Sequence, residues 1–372
     1  MSDKEHLERR IESLRSRMRS ANVDAAVVLV REGLNWETCF YLSGFRGSSC
    51  ALALLPDDAF LVTDGRYLAQ AAGQTHLRVI DQGAAPILDV LKNLLSGKAG
   101  IGNLGFQADR VTCDLLGSLK NIGGDLVDIS VIFSGLRRNK DPLEVGDISK
   151  AAEISAAALT SSITKAGQIF TEKGFAARLE YEMKTAGAEG GWGAQEFIVA
   201  SGPRSAFPHG VPTDRRVMPG ENVTVDFGSR FNGYICDITR TLSLSEPPAW
   251  IVEAHDLLVE AQAAALPLLE PGRPTAEADR AARSVIERAG FKEAFTHSLG
   301  HGIGLDVHEA PVISSRSGES FAVGDVVTVE PGIYFPGKGG VRLEDDYHIS
   351  DNGPVCLTSH LPRKIFVVDP EI

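Results

Sequence analysis

Hydrophobic and polar positions in the amino-terminal part of the chain follow helical and strand-like periods in turn. An apolar residue recurs every three or four positions near the start, at Leu7, Ile11, Leu14 and Met18. This spacing predicts a helix with one apolar face. Three uninterrupted apolar runs predict buried strands: 24–30, 51–55 and 59–63. A further helical pattern covers 85–95, so this part of the chain is predicted to form an α/β domain.

The character of the chain changes part-way along. Asp141 followed by Pro142 and Glu144 is typical of a helix start, with aspartate as the cap and proline in the first turn. We place a domain boundary there, between 1–138 and 139–372. Long alanine-rich stretches predict three further helices: about 142–165, 171–189 and 250–269. Strand-like hairpins also follow, so the second domain is predicted to be α+β.

Composition and charge narrow the class of protein. The chain has 372 residues, which suits two domains, and its 43% hydrophobic and 23% charged residues are those of an ordinary globular protein. A net charge of −12 disfavours nucleic-acid binding, because a protein that binds phosphates needs a basic face. No apolar run reaches membrane-spanning length, and the start of the chain lacks the apolar segment of a signal peptide. We expect a cytoplasmic protein without nucleic-acid or membrane partners.

Two pairs of acids are placed symmetrically about predicted turns. Asp226 and Asp237 flank the turn-like sequence GSRFNG, and Glu330 and Glu344 are symmetric about Gly337. If each hairpin closes at its midpoint, each pair becomes a directly opposed cross-strand pair, which is destabilising for like charges. Four converging carboxylates are expected to raise their pKa values or to bind cations, and two divalent ions carry the matching charge.

A histidine lies within a glycine-rich segment later in the chain. His301, between Gly300 and Gly302, can supply a neutral imidazole where the backbone must come close. Mostly oxygen ligands with one nitrogen favour Mn²⁺, with Co²⁺ or Zn²⁺ left open. Two adjacent metals generate a hydroxide at neutral pH, so hydrolysis is the predicted reaction class.

Each of these residues also has an ordinary structural interpretation. For any one of these acids considered alone, the ordinary interpretation is a surface carboxylate or an ion-pair partner for Arg230, Arg240 or Arg342. His297 or His308, taken singly, is a structural histidine with satisfied hydrogen bonds. The joint pattern is what favours a metal site.

Four motifs together resemble the metallopeptidases that include aminopeptidase P, prolidase and methionine aminopeptidase. These motifs are VDFG…NGYICDITRT, GHGIGLDVHE, VEPGIY and GGVRLEDD. The resemblance implies the pita-bread catalytic fold with five metal-ligand positions at Asp226, Asp237, His301, Glu330 and Glu344. The stretches YLSGFRGSSCALALL and LVTDGRYLAQA are similar to the creatinase-like amino-terminal domain of the aminopeptidase P and prolidase branch.

The resemblance also implies roles around the metals. A hydroxide bridging two divalent ions would attack the carbonyl of an Xaa-Pro bond while Glu330 shuttles the proton. His308, with His209 or His297, would stabilise the tetrahedral intermediate. Arg342 matches an arginine near the scissile bond. The remaining predicted side chains are candidate walls of a pocket for the proline ring: Tyr334 and Phe207.

The sequence therefore predicts a metal-dependent Xaa-Pro aminopeptidase that acts on small peptides with proline in second position. The alternative is an Xaa-Pro dipeptidase, and the TDGRY stretch is closer to the aminopeptidase P branch. A non-enzymatic binding protein and a metal-free hydrolase of the creatinase type are further readings, but both are expected to have lost metal ligands. Dimers are common in the family, so a homodimer is expected.

Overall fold

The computed structural model describes residues 3–96, 100–166, 171–193 and 196–368. The chain divides into two compact units, Met1–Arg137 and Arg138–Ile372, a division that differs by one residue from the predicted limits. Within the described ranges, no helix is long and apolar enough to cross a membrane.

Helices and strands alternate in the first unit. The helices are α1 (Asp3–Ser20), α2 (Trp36–Ser43), α3 (Leu68–Gln74), α4 (Ile87–Ser96), α5 (Cys113–Leu119) and α6 (Ser130–Arg138), whose last residue belongs to the second unit. The strands are β1 (Ala25–Arg31), β2 (Ser49–Leu54), β3 (Ala59–Thr63), β4 (Arg78–Asp81), β5 (Asn103–Phe106) and β6 (Asp125–Asp128). The strands form one sheet in the order β4-β3-β2-β1-β5-β6.

This sheet is mixed rather than wholly parallel. β1, β2 and β3 pair antiparallel, whereas β3–β4, β1–β5 and β5–β6 pair parallel. The six residues of β1 before Arg31 are all buried, because both faces of the sheet are covered. On one face, Val27 and Leu29 pack in a cluster with Leu91 of α4 and Leu115 of α5. The three strands predicted from apolar runs are β1, β2 and β3, and the predicted helix at 85–95 is α4.

In the second unit, the described residues form two pairs of long helices and four small sheets. Its helices are α7 (Pro142–Thr164), α8 (Glu172–Thr185), α9 (Ala249–Ala265) and α10 (Thr275–Arg288). Its strands are β7 (Ile198–Ser201), β8 (Asn222–Phe227), β9 (Arg230–Phe231), β10 (Tyr234–Ile235), β11 (Ile238–Leu244), β12 (Gly300–Gly302), β13 (Glu309–Ile313), β14 (Val326–Val329), β15 (Gly332–Phe335), β16 (Gly339–Arg342), β17 (Asp345–Ser350), β18 (Gly353–Cys356) and β19 (Phe366–Val368). The predicted start of α7 is confirmed: Asp141 accepts hydrogen bonds from the amides of Leu143 and Glu144, and Glu144 caps Asp141 in return.

Each half of this unit packs a helix pair against a sheet. In the first half, α7 and α8 share an apolar cluster with the sheet β19-β11-β8-β7. In the second half, α9 and α10 share a cluster with the sheet β13-β12-β14-β17-β18. The acids predicted to form the site all lie on or beside strands of these two sheets, so the site is set between two rigid layers.

The register of the first acidic hairpin differs from the prediction. Asp226 on β8 is paired with Thr239 on β11, not with Asp237. The reason is the turn, which is Asn232-Gly233 and has positive φ at both positions, 47° and 84°. Asn-Gly is the preferred pair for a two-residue hairpin turn of this hand. It places the centre of the hairpin one residue later than predicted, so the partner of Asp226 lies two residues further along the chain. A shift of two positions keeps both acids on one face, so Asp237 becomes a diagonal neighbour of Asp226.

The register of the second acidic hairpin agrees with the prediction. Val329 pairs with Asp345, and Gly332 pairs with Arg342. Between these pairs the same register places Glu330 opposite Glu344. Gly337 at the centre has a φ of 79°, which a glycine adopts without strain.

The Asn-Gly turn gives a stability prediction. Gly233→Ala forces a side chain into the left-handed region, so we expect urea denaturation to show a loss of about 1–2 kcal/mol in the free energy of unfolding. Gly146→Ala is the matched control, because Gly146 lies in α7 with open space around an added Cβ. The control is expected to hold or raise stability by about 0.5–1 kcal/mol. Equal losses in both variants would contradict the assigned turn.

Candidate active site

Hydrogen bonds to backbone carbonyls bring the two acidic hairpins together. The amide of Glu344 donates to the carbonyl of Thr239 at 3.2 Å, and the Thr241 hydroxyl donates to the carbonyl of Arg342 at 3.3 Å. β11 of the first hairpin therefore runs beside the two residues between β16 and β17, one of which is Glu344. Asp237, just before β11, lies in the same region, where the two hairpins meet.

The acidic side chains where the two hairpins meet form a compact cluster with a histidine. His301 Nε2 lies 3.5 Å from Glu330 Oε1 and 3.9 Å from Asp237 Oδ2. Ligand atoms of Asp237, His301 and Glu344 all lie within 4.8 Å of one another. Asp226 faces the same place, where one of its oxygens forms an ion pair with Arg342. The structure thus brings together all five residues predicted to bind metal.

Burial makes the negative charges of this cluster unfavourable. It raises the pKa values of Asp237 and Glu330 well above their ordinary values, and neighbouring carboxylates, with Glu344 the strongest, add to the effect. Burial and the charge of Asp226 raise the pKa of Glu344 to about 8. A cation would remove this penalty, because it supplies the charge that the buried carboxylates lack.

Two carboxylate oxygens in the cluster have no hydrogen-bond partner. They are Asp226 Oδ1 and Asp237 Oδ1, both buried, and no donor within the described part of the chain reaches either of them. Buried polar atoms are almost always paired, so these two are suited to a ligand outside the chain. Several oxygen donors with one nitrogen donor fit a divalent cation such as Mn²⁺.

The tautomer of His301 also fits metal binding. Its Nδ1 lies 3.1 Å from the carbonyl of Gly302, which only accepts, so Nδ1 carries the proton. Burial lowers the pKa of His301 to about 3, which keeps the ring neutral. The lone pair of Nε2 therefore points toward Asp237 and Glu330, and a backbone carbonyl fixes the ring as in many metal sites.

A directed chain of hydrogen bonds lines the other side of the cluster. His297 Nδ1 donates to the carbonyl of Ser298 at 2.8 Å, and burial lowers the pKa of His297 to about 4. The neutral Nε2 then accepts from the Tyr334 hydroxyl at 2.9 Å. Arg342 Nη1 donates to the same hydroxyl at 2.9 Å, and burial raises the pKa of Tyr334 to about 12. Tyr334 is thereby held as a neutral phenol.

The remaining predicted histidines lie on the more exposed side. The rings of His301 and His308 have centroids 4.3 Å apart. Burial and then the charge of His209 lower the pKa of His308. The carbonyl of Pro208, next to His209, accepts a hydrogen bond of 3.0 Å from Arg342.

Phe207 is the one predicted site residue that the structure does not bring against its proposed partner. Its side chain is 58% exposed. Within the described residues, no ring contact joins it to Tyr334. Its role as a wall of the proline pocket stays a prediction.

Comparison with protein families agrees with this geometry. The model of metallopeptidase family M24 matches residues 146–351, a range that contains all five clustered residues. The chain belongs to metallopeptidase family M24. The model of the creatinase/prolidase amino-terminal domain matches residues 10–138. The predicted family and fold class are therefore confirmed, and the chain is a peptidase with a creatinase-like domain before a pita-bread catalytic domain.

Individual members of the family M24 resemble the chain over most of its length. The uncharacterised peptidase YqhT of Bacillus subtilis is 34% identical over 362 residues, which cover 96% of this chain and 100% of that protein. The X-Pro aminopeptidase structure from Thermotoga maritima has a TM-score of 0.90 and 37% identity, covering 96% and 99% of the two chains. The Xaa-Pro dipeptidase structure from Bacillus anthracis has a TM-score of 0.90 and 33% identity, covering 97% and 99%.

Two polar residues of this M24 site were missed from the sequence. The Thr239 hydroxyl donates to Glu344 at 2.6 Å and accepts from Arg342 at 2.9 Å. Asp346 accepts the backbone amide of Asp237 at 2.9 Å. Each lies two positions after a predicted ligand along an extended chain, so the period of two was the available signal.

The raised carboxyl pKa values predict how the metal-free peptidase responds to pH. The folded protein holds protons that the unfolded chain releases, so stability is lost as pH rises toward 8, the pKa of Glu344. Between about pH 7.5 and about pH 8.5 an ordinary imidazole of the unfolded chain is mostly neutral, and burial keeps His297 and His301 neutral in the folded protein, so these two residues mask little of this loss.

Urea denaturation of chelator-treated protein tests this prediction. The free energy of unfolding is expected to fall by at most about 1.4 kcal/mol per pH unit for each titrating group. Glu344→Gln removes one such group and is expected to flatten the slope. If the free energy of unfolding of the metal-free protein stays constant over this pH range, the pKa values of the buried carboxyl groups are not raised.

Proposed function

We propose that the chain is an Xaa-Pro aminopeptidase that uses two divalent cations, Mn²⁺ in the first place and Co²⁺ or Zn²⁺ as alternatives. The observation that carries the proposal is the buried meeting of Asp237, His301, Glu330 and Glu344, with orphan oxygens on Asp226 and Asp237. Buried carboxylates that repel one another destabilise the fold, and bound cations remove this repulsion, so the cluster is favourable as a metal site.

Asp226, Asp237, His301, Glu330 and Glu344 would hold the cations. When bound, the pair lowers the pKa of water, so that hydroxide is available at neutral pH. Glu330 has a side chain 17% exposed, against 8% for Asp237 and 1% for Glu344, so it is the most open of the proposed ligands whose pKa is raised and faces the reacting water. It takes the proton of that water and delivers it to the proline nitrogen as the peptide bond breaks.

The histidines and Arg342 act on the substrate side. His308 and His209 lie at the open side of His301, where they donate hydrogen bonds to the carbonyl oxygen as its charge develops. His297 is neutral and tied to Tyr334, so it positions the phenol rather than carrying charge. Arg342 holds Asp226, Tyr334 and the carbonyl of Pro208 in one arrangement.

Recognition of proline relies on shape. The prolyl amide has no N–H, so the enzyme reads the ring instead of a donor. Tyr334 supplies a buried aromatic wall, and the exposed Phe207 is the second candidate wall. The relatives named for Xaa-Pro cleavage in Thermotoga maritima and Bacillus anthracis support this substrate class.

A dipeptidase is the second candidate. The Xaa-Pro dipeptidase of Pyrococcus furiosus is 41% identical over 230 residues, which cover 62% of this chain and 66% of that protein. The aminopeptidase and dipeptidase relatives both share the fold, so the distinction lies in how far the site admits residues after proline. A metal-free hydrolase and a binding protein are disfavoured, because the chain keeps all five ligand positions and belongs to a peptidase family. Manganese, the homodimer and the cytoplasmic location stay predictions.

Peptides of matched length test the function. Ala-Pro-Ala is expected to be cut between alanine and proline, whereas Ala-Ala-Ala is expected to be nearly inert, because the pocket fits the ring. Shape selection of this kind is worth roughly 1–3 kcal/mol, so a slow rate on the proline-free peptide is expected. Chelation is expected to abolish cleavage, and Mn²⁺ or Co²⁺ to restore it.

The same assay separates the candidates. Efficient cleavage of Ala-Pro-Ala identifies an aminopeptidase, and cleavage confined to Ala-Pro identifies a dipeptidase. Equal rates on Ala-Pro-Ala and Ala-Ala-Ala would refute both, and full activity of a metal-free sample would refute the metal mechanism.

Two histidine variants separate ligand from substrate contact. His301→Ala is expected to lose bound metal, because the only nitrogen donor proposed for the cations is removed. His308→Ala is expected to keep its metal and to lower kcat by about a hundredfold, the usual effect of losing one transition-state donor. Metal content by mass spectrometry and kcat on Ala-Pro-Ala are the readouts. The assignment fails if both variants lose metal to the same extent.

A further inference from the structure

A buried glutamate outside the active-site cluster binds an unusual number of donors. Glu172 is the first residue of α8, and its side chain is fully buried. Oε1 accepts from the amide and the hydroxyl of Ser201, each at 2.8 Å. Oε2 accepts from the amide of Thr213 at 3.0 Å, from its hydroxyl at 2.6 Å and from the guanidinium of Arg204. Five donors on one buried carboxylate make a strong local anchor.

These donors delimit one stretch of chain, residues 201–213, which we name the His209 segment. Ser201 is its first residue, at the end of β7, and Thr213 is its last. Arg204 lies within it and also donates to the carbonyl of Val211 at 2.8 Å. Glu172 therefore fixes both ends of the His209 segment and one point inside it.

Only the tip of the His209 segment is loosely packed, because Ser205 before it is buried and its hydroxyl oxygen accepts from Asn222 at 3.0 Å and from the amide of Gly340 at 2.8 Å. Phe207, His209 and Val211 are exposed, so buried apolar contacts do not hold this part of the segment in place. The tip contacts the site through the hydrogen bond of 3.0 Å from Arg342 to the carbonyl of Pro208, the residue before His209. An exposed catalytic side chain on such a segment depends on how the ends are anchored.

We propose that Glu172 is a positioning residue for His209. Its carboxylate sets the ends of the His209 segment so that the imidazole stands beside His308 and the substrate. The inference rests on the proposed function for the role of His209 but not for the anchoring itself. Within the described residues, the hydrogen bonds of the Glu172 side chain go to residues 201–213 and not to the proposed metal ligands, so Glu172 acts through the segment that it holds.

Glu172→Gln tests the anchoring with little change of volume. A carboxylate accepts on both oxygens, whereas an amide accepts on one and presents N–H groups on the other side. The amide of either Ser201 or Thr213 then faces another donor, and that end of the segment loses its hydrogen bonds to residue 172. Backbone hydrogen exchange in residues 201–213 is expected to become faster, whatever peptide the enzyme cleaves.

A double-mutant cycle with His209→Ala tests the positioning. Glu172→Gln is expected to lower kcat/KM on Ala-Pro-Ala about tenfold in the wild-type background, because small displacements of a catalytic group are costly. In the His209→Ala background the same change is expected to alter kcat/KM by less than about twofold, since the two residues act as one unit. Metal content is expected to stay at the wild-type level in all four proteins.

Glu182→Gln is the matched control. Glu182 is a second buried glutamate of α8, but it pairs with Lys165 at 2.9 Å, away from the His209 segment. This variant is expected to leave kcat/KM and exchange in residues 201–213 unchanged. If Glu172→Gln fails to fold, Thr213→Val removes one of the five donors more gently and is expected to give the same pattern with a smaller amplitude.

The outcomes separate the two proposals. An equal loss of kcat/KM in both backgrounds, or unchanged exchange in residues 201–213, overturns the positioning role of Glu172. Wild-type activity of His209→Ala overturns it as well. If the wild-type enzyme does not cleave Ala-Pro-Ala at all, the proposed function fails, and the exchange experiment alone still decides whether Glu172 anchors the segment.

Discussion

Repulsion between buried carboxylates is the constraint around which the catalytic unit is built. Asp237, Glu330 and Glu344 are largely withdrawn from water within reach of one another, and Asp226 faces them. Arg342 offsets part of this charge through its ion pair with Asp226. The negative charge that Arg342 does not offset favours the binding of cations. The cluster, which is unfavourable without them, is therefore a binding site for cations.

A second, fully buried arginine keeps the acids from moving apart. Arg240 donates to the carbonyls of Thr239 and Glu344 and forms an ion pair with Asp345 at 2.6 Å. Its guanidinium thus ties the backbone of β11 to the backbone that carries Glu344. Because this backbone is fixed, the repulsion cannot be relieved by separating the strands, and the site stays preorganised for metal and substrate.

Local patterns in the sequence were enough for most of the elements and for the five clustered residues. The apolar runs gave β1, β2 and β3, and the symmetry of Glu330 and Glu344 about Gly337 gave the correct register. The symmetry of Asp226 and Asp237 gave the wrong register, because the hairpin turns at the Asn-Gly pair and not at the midpoint between the two acids. Glu172 was invisible for a different reason: its partners lie 29 to 41 residues away, and no periodicity reports such a contact.

The number of divalent cations bound per chain tests the central claim most directly. Metal-free protein is titrated with Mn²⁺ in a calorimeter, and the bound metal is counted by mass spectrometry. The account predicts about two cations per chain, because two dipositive ions balance the converging acids. Binding of one cation or none, with the protein folded and active, would contradict it.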